Sequence, residues 1–188
     1  MQFILASASP RRKEILEQLG LRFSVVTADT DESSAITDPA ALVEELSLRK
    51  ARAVADIVDP DAAIIGADTV VAAGGEILGK PKDAADARRM LRLLSGSTHQ
   101  VLTGVTLFYK GKPYTAHCVT DVTFQPMTEQ EIAEYAASGE PYDKAGGYAI
   151  QGRAARYITG INGCYWNVVG FPVNLFCNML KQLGIHGV

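Results

Sequence analysis

The connections between strand-like runs constrain this chain most. Gln2–Ala6, Arg22–Thr27 and the apolar run Ala62–Ala67 are separated by helical patterns, whereas later runs are joined by tight glycine turns. Parallel strands need a long crossover, usually a helix, while hairpins join antiparallel ones. A chain that uses both predicts an α/β fold, a mixed twisted sheet with flanking helices. We expect one domain over residues 1–188, built as two lobes around a cleft.

Local signals punctuate this order. Ser9 and Pro10 make a helix start, as N-cap and first helical residue, and Gly20 ends that helix. Asp29–Asp38 reads as an acidic loop and Pro39–Val58 as a long helix. Val70–Ala73 and Glu76–Leu78 flank Gly74-Gly75 as a hairpin. Asp83–Leu94 reads as a helix closed by Ser95-Gly96. His99–Tyr109 and Tyr114–Phe124 form a second hairpin around Lys110-Gly111. Thr128 and Glu131 form a capping box for a helix over Glu129–Ser138. Residues 139–170 are glycine-rich, with a strand expected near Gly147–Ile150, and Pro172 opens a last helix ending at Gly184.

Composition narrows the function classes. Hydrophobic residues make up 47% and charged residues 21%, which excludes a disordered chain or a coiled coil. The formal charge of −3 argues against a surface dedicated to nucleic acid. No apolar run approaches the ~18 residues of a membrane span. Cys118, Cys164 and Cys177 are odd in number and lack a C-x-x-C spacing, so they read as free thiols. His99, His117 and His186 show no metal-ligand spacing. At the start of the chain the cations follow the apolar stretch, the reverse of a secretory signal, and a cytoplasmic protein is expected.

Several polar residues sit where a simple fold would not put them. Arg11, Arg12 and Lys13 occupy the first turn of a helix, whose partial positive charge opposes each of them by about 0.3–1 kcal/mol. A bound phosphate would reverse that cost, with Ser7 and Ser9 adding hydroxyls. Arg12 also shares a helix face with Ile15, Leu16 and Leu19, so it is expected to point inward. Lys50 falls in the middle of the stripe Val43, Leu46, Val54, Ile57, where it either snorkels or serves a site. Asp68 follows Ala62–Ala67, at the expected carboxyl end of a core strand, where α/β sheets bind ligands. Alone it reads equally as a general base, a metal ligand or a turn cap.

Other candidates are weaker. Glu32 lies in Asp29-Thr30-Asp31-Glu32-Ser33, which lacks the pattern of a calcium hand. It reads as an exposed acidic residue, or as one of the few protein ligands that Mg²⁺ needs. Gly74–Lys80 imitates a phosphate-binding loop, but Pro81 replaces the required Ser or Thr, so that motif is rejected and Lys80 alone reads as solvated. Asp143–Gly152 is bracketed by glycines and carries Gln151, whose amide offers both a donor and an acceptor to a base edge.

Taken together, Ser7-Ala8-Ser9-Pro10-Arg11-Arg12, Gly66-Ala67-Asp68-Thr69-Val70-Val71, Ser95–His99, Gly79-Lys80-Pro81, Asp143-Lys144-Ala145-Gly146, Ile150-Gln151-Gly152 and Val168–Pro172 resemble the Maf family of nucleotide pyrophosphatases. The resemblance runs along essentially the whole chain. It implies a fold similar to inosine-triphosphate pyrophosphatase. It also implies hydrolysis of a nucleoside triphosphate to the monophosphate and pyrophosphate with a divalent cation, Mg²⁺ or Mn²⁺. Asp68 matches the family's proposed base, and Arg11, Arg12, Lys50 and Lys80 match its phosphate-handling cations. Glu32 matches its acidic metal-site residue, with Asp68 as a second ligand. Arg12, Thr69 and Gln151 match the branch acting on dTTP and UTP. Phe171 stands where leucine is commoner, a departure that reads as packing. The resemblance also suggests a homodimer, and its link to septum arrest keeps a nucleotide-sensing regulator of cell division as an alternative, beside a pyrophosphatase for another, modified nucleotide. A phosphatase with an aspartyl-phosphate intermediate fits poorly, because Val70 stands where a second Asp is required.

Overall fold

Strand β1 (Phe3–Leu5) lies in register with two parallel neighbours, Phe3 opposite Phe23 of β2 (Phe23–Val25) and opposite Ala63 of β3 (Ala63–Ala73). Helices α1 (Pro10–Gln18) and α2 (Pro39–Ala55) supply the crossovers that parallel pairing demands. This is a computed structural model, and it describes residues 2–185; His186 lies outside them. The remaining elements are β4 (Glu76–Leu78), α3 (Ala84–Leu94), β5 (Thr98–Tyr109), β6 (Lys112–Phe124), α4 (Glu129–Ala136), β7 (Ile158–Asn162), α5 (Tyr165–Val169) and α6 (Val173–Gln182). The strands form one mixed sheet in the order β2-β1-β3-β5-β6-β7, with β4 on β3, and helices flank it as expected.

The chain divides into two units. The first comprises Met1–Asp68, Thr103–Cys118 and Gly170–Val188, so far as these are described. Ile4, Ala6, Ala51, Val54, Ala62 and Ile64 pack together within it. The second comprises Thr69–Leu102 and Val119–Val169. Its core centres on Leu91, Leu94, Val122, Phe124, Tyr135 and Tyr157.

Turn chemistry explains both hairpins. Gly74 and Gly75 have φ of 56° and 81°, and Lys110 and Gly111 have φ of 50° and 74°. Two consecutive left-handed residues suit a two-residue hairpin turn, whose twist matches that of the strands. The capping box of α4 is present on both sides.

Three expectations need correction, and one element had no forewarning. Asp68 does not end a strand: β3 runs on to Ala73, and Asp68 lies in its middle. The hairpin through Gly74-Gly75 keeps Val71–Ala73 paired, so the strand has no reason to stop at Ala67. Gly147–Ile150 is not a strand. Gly146 and Gly147 have φ of 70° and 69°, outside the extended region, and the strand lies further on as β7. The short helix α5 had no local signal. Ile57, read as part of a buried stripe, is 65% exposed because α2 ends at Ala55 and the helical period ends with it.

Candidate active site

Helix α2 approaches the sheet at two glycines. A Cβ on Gly66 would lie 2.3 Å from the Ser47 carbonyl oxygen, and one on Gly104 would lie 2.2 Å from that of Val43. Only glycine permits such contact with the helix backbone. Ser47, fully buried, locks the approach with its hydroxyl 2.8 Å from Thr106 Oγ1, which in turn reaches Thr115 Oγ1. Asp68 lies two residues beyond Gly66, so it leaves the same strand face toward α2. Lys50 lies three residues beyond Ser47, on the helix face toward the sheet.

Lys50 and Asp68 therefore meet. Lys50 Nζ donates to Asp68 Oδ1 at 2.6 Å and lies 2.7 Å from Glu32 Oε1. The Lys50 side chain is 17% exposed and that of Asp68 12%, whereas Glu32 is 61% exposed. Lys50 is thus neither a snorkelling lysine nor a solitary buried charge. The acidic loop, read alone as solvated, is held here by a residue that the sequence left out of account. Arg49 Nη1 donates to the carbonyl oxygens of Asp31 and Ser33, at 3.2 and 2.9 Å, the two residues flanking Glu32. Consecutive residues of one helix thereby grip the loop backbone and its central carboxylate.

The start of α1 forms a second cluster. Arg12 is 9% exposed and points inward as expected. Its Nε donates to the Gly170 carbonyl at 2.9 Å and its Nη1 to Ser7 Oγ at 3.1 Å. Ser7 Oγ also accepts from the Ser9 amide. Ser9 occupies the N-cap position, yet its side chain caps nothing. Burial lowers the Arg12 pKa, Asp68 opposes that shift, Arg11 adds to it, and Glu32 opposes it. A guanidinium remains charged under such conditions. Asp68 and Glu32 thus lie within the electrostatic reach of Arg12. Arg11 is half-buried in the same turn, which contains no acidic residue.

The second unit carries Thr69, Lys80 and Gln151. Thr69 is half-buried next to Asp68 along β3; Lys80 and Gln151 are exposed. Three of the motifs converge within this unit. The Gly146 amide donates to the Gly79 carbonyl at 3.0 Å, a Cβ on Gly146 would lie 2.7 Å from Val71 Cγ2, and one on Gly147 would lie 3.0 Å from Pro81 Cγ.

These are the sequence motifs of one family, and its sequence profile, that of the Maf-like proteins, matches residues 2–183. The chain belongs to the Maf family. A dTTP/UTP pyrophosphatase of Symbiobacterium thermophilum is 52% identical over 184 residues, 97% of this chain and 94% of that one. One from Agathobacter rectalis is 51% identical, covering 98% of each chain. The Staphylococcus aureus Ham1 protein has a similar fold, with a TM-score of 0.58 at 12% identity, covering 97% of this Maf chain and all of its own.

The carboxylates of this Maf protein also suit a divalent cation. Glu32 and Asp68 share one cationic position, and Mg²⁺ characteristically takes one or two carboxylates and completes its shell with water and substrate phosphates. Among the described residues no group of three His, Cys, Asp or Glu forms an all-protein cage. Cys118, Cys164 and Cys177 are half-buried and lie outside any disulfide. No helix among the described residues is long and apolar enough to cross a membrane.

Proposed function

We propose that this Maf protein hydrolyses dTTP and UTP to the nucleoside monophosphate and pyrophosphate. The observation that carries the reading is the Lys50 ammonium held between Asp68 and Glu32 beside the buried Arg12–Ser7 pair. A triphosphate brings about four negative charges, and transfer at phosphorus is catalysed chiefly by positioning and charge compensation. Arg11, Arg12, Lys50 and Lys80 supply the compensation, and Ser7 adds a hydroxyl donor. Asp68 takes the proton of the attacking water or orients that water. Its contact with Lys50 fixes the direction of the carboxylate. Thr69 and Gln151 contact the base.

Glu32 and Asp68 would hold Mg²⁺ or Mn²⁺. The bound ion would offset charge on the departing pyrophosphate. Lys50 must then share both carboxylates or move toward a phosphate oxygen, which a flexible four-carbon stem allows.

The names of the relatives favour dTTP and UTP. We further propose a cytoplasmic homodimer that meets small nucleotides rather than nucleic acid or membrane. Cysteines outside any disulfide suit a reducing compartment. The exposed Val119, Ile161 and Tyr165 suit a self-association surface. The test is the product formed from UTP, protein and Mg²⁺. UMP with pyrophosphate supports the reading. UDP with phosphate makes the protein a phosphatase, and UTP bound but unchanged makes it a sensor. Faster turnover of a modified nucleotide moves the substrate assignment to that compound.

A further inference from the structure

Gln151 sits in a turn clamped at both ends by one pair of side chains. The Gly152 amide donates to the Ala149 carbonyl at 3.0 Å, which closes a turn with Ile150 and Gln151 at its centre. Before the turn, the Ala149 amide donates to the Tyr135 hydroxyl at 3.1 Å. After it, the Arg153 amide donates to Glu140 Oε2 at 3.0 Å. The clamp is joined within itself, because Tyr135 donates its hydroxyl proton to Glu140 Oε1 at 2.6 Å. The Glu140 carboxylate also lies against Gly152, where a Cβ would stand 2.3 Å from Oε1.

The surroundings make the clamp rigid. Tyr135 is 1% exposed on α4, and Lys144 Nζ holds the Glu140 carbonyl at 3.0 Å. Tyr148, next to the turn, contacts His99 and Phe124 edge-on and bonds His99 Nε2 through its hydroxyl at 2.8 Å. Burial works against the Glu140 charge. The bonds from Tyr135, Arg153 and Ala154, with the Lys144 charge, more than offset it and hold the carboxyl below its ordinary pKa. A half-buried carboxylate is a costly way to anchor a loop when apolar packing would serve. Hydrogen bonds differ from such packing in direction: they fix orientation as well as distance. A side chain that must read a donor and an acceptor on a base needs that precision.

We propose that Tyr135 and Glu140 are positioning residues for Gln151, and that their clamp on the Ala149–Gly152 turn sets the preference for a pyrimidine base. The inference rests on the reading of Gln151 as a base contact. Neither residue stood out in the sequence, since each acts through groups that only folding brings near.

The experiment compares kcat and KM for dTTP and GTP in the wild type, Tyr135→Phe, Glu140→Gln and Gln151→Ala, with a melting curve for each. Tyr135→Phe removes one hydroxyl and both of its bonds. Glu140→Gln keeps the shape but leaves only one terminal acceptor for the three donors Tyr135, Arg153 and Ala154. Each is expected to lower the ratio of kcat/KM for dTTP over GTP about tenfold, through a raised KM for dTTP, with kcat changed less than about threefold. Gln151→Ala should lower the ratio at least as far. If Gln151→Ala loses the preference while the folded Tyr135 and Glu140 variants keep it, the clamp proposal falls alone. A parallel loss for both nucleotides, with the ratio unchanged, also overturns it, because the pair is then merely structural. If Gln151→Ala keeps the preference, the base-reading assignment falls and the clamp with it. Should Tyr135→Phe fail to fold, Glu140→Gln decides the matter.

Discussion

Lys50 Nζ lies 2.6 Å from Asp68 Oδ1, joining a helix to a strand across 18 positions of sequence. Each group makes the burial of the other tolerable, because a buried charge persists only when paired. The pair also presents an oriented carboxylate beside a cation, which suits water activation next to a phosphate.

Asp68→Asn keeps the size of the side chain and one acceptor, but it takes no proton and binds cations poorly. Loss of a general base costs about 10²–10⁴-fold in rate. A large fall in kcat for UTP with a smaller change in nucleotide affinity is expected. Parallel measurement of kcat and Kd tests this, and a kcat within a few-fold of wild type would leave Asp68 a structural residue.

Lys50→Met preserves the apolar stem and deletes the ammonium, so turnover should collapse. Asp68 then loses the Lys50 ammonium in a largely buried position. Stability should fall, though by less than the about 3–5 kcal/mol of a fully buried pair, since Glu32 is exposed to water. Urea unfolding beside a UTP assay checks both. Unchanged stability with full turnover would return Lys50 to the role of a snorkelling residue.

Gly66→Ala puts a methyl group against the Ser47 carbonyl, a backbone atom with no rotamer to escape into. Helix α2 must shift, which costs about 1–3 kcal/mol or more. The helix carries Lys50, so turnover should fall further than the lost stability explains. Activity assayed well below the melting temperature separates the effects; normal turnover there would show that the spacing of α2 does not matter to the site.

Arg12→Ala removes the donors to Gly170 and Ser7. The unfavourable helix-end charge alone predicts little damage to folding, but the buried bonds reverse that expectation. A loss of about 2–3 kcal/mol is expected, together with low activity. Equal melting curves for variant and wild type would refute the structural part.

His99 makes folding sensitive to mild acid. Burial pushes its pKa down to about 4, whereas the unfolded chain titrates near about 6.5. Between those values the unfolded state binds a proton that the folded state refuses. The contribution of neutral His99 is therefore complete above about pH 6.5 and is lost as pH falls toward about 4. Between pH 7 and 5 the loss should approach about 2 kcal/mol, and His99→Gln should flatten it. Urea unfolding at the two pH values provides the readout. An identical pH slope in both proteins would sink the assignment.

Part of this site was legible along the chain. Arg12 and Lys50 could be picked out because a helix has a period, and a cation on its apolar face breaks that period. The hairpins and the capping box were equally local, since turn geometry depends on the residues in the turn itself. The glycine-bracketed segment was misread as containing a strand, because Gly146 and Gly147 use the conformational freedom that only glycine has, and nothing in the sequence states which way they use it.

By itself, then, the sequence determined the strand-and-helix order outside the glycine-rich stretch 139–170, the family, and which cations were out of place, all properties of neighbouring residues or of motif order. Tertiary structure alone decided that Lys50 joins Asp68 to Glu32, that Arg49 holds the loop around Glu32, and that Tyr135 and Glu140 clamp the turn of Gln151. These contacts depend on how closely a helix approaches a strand and on where a loop returns. Such distances are set by packing among residues far apart in sequence, so no local pattern encodes them.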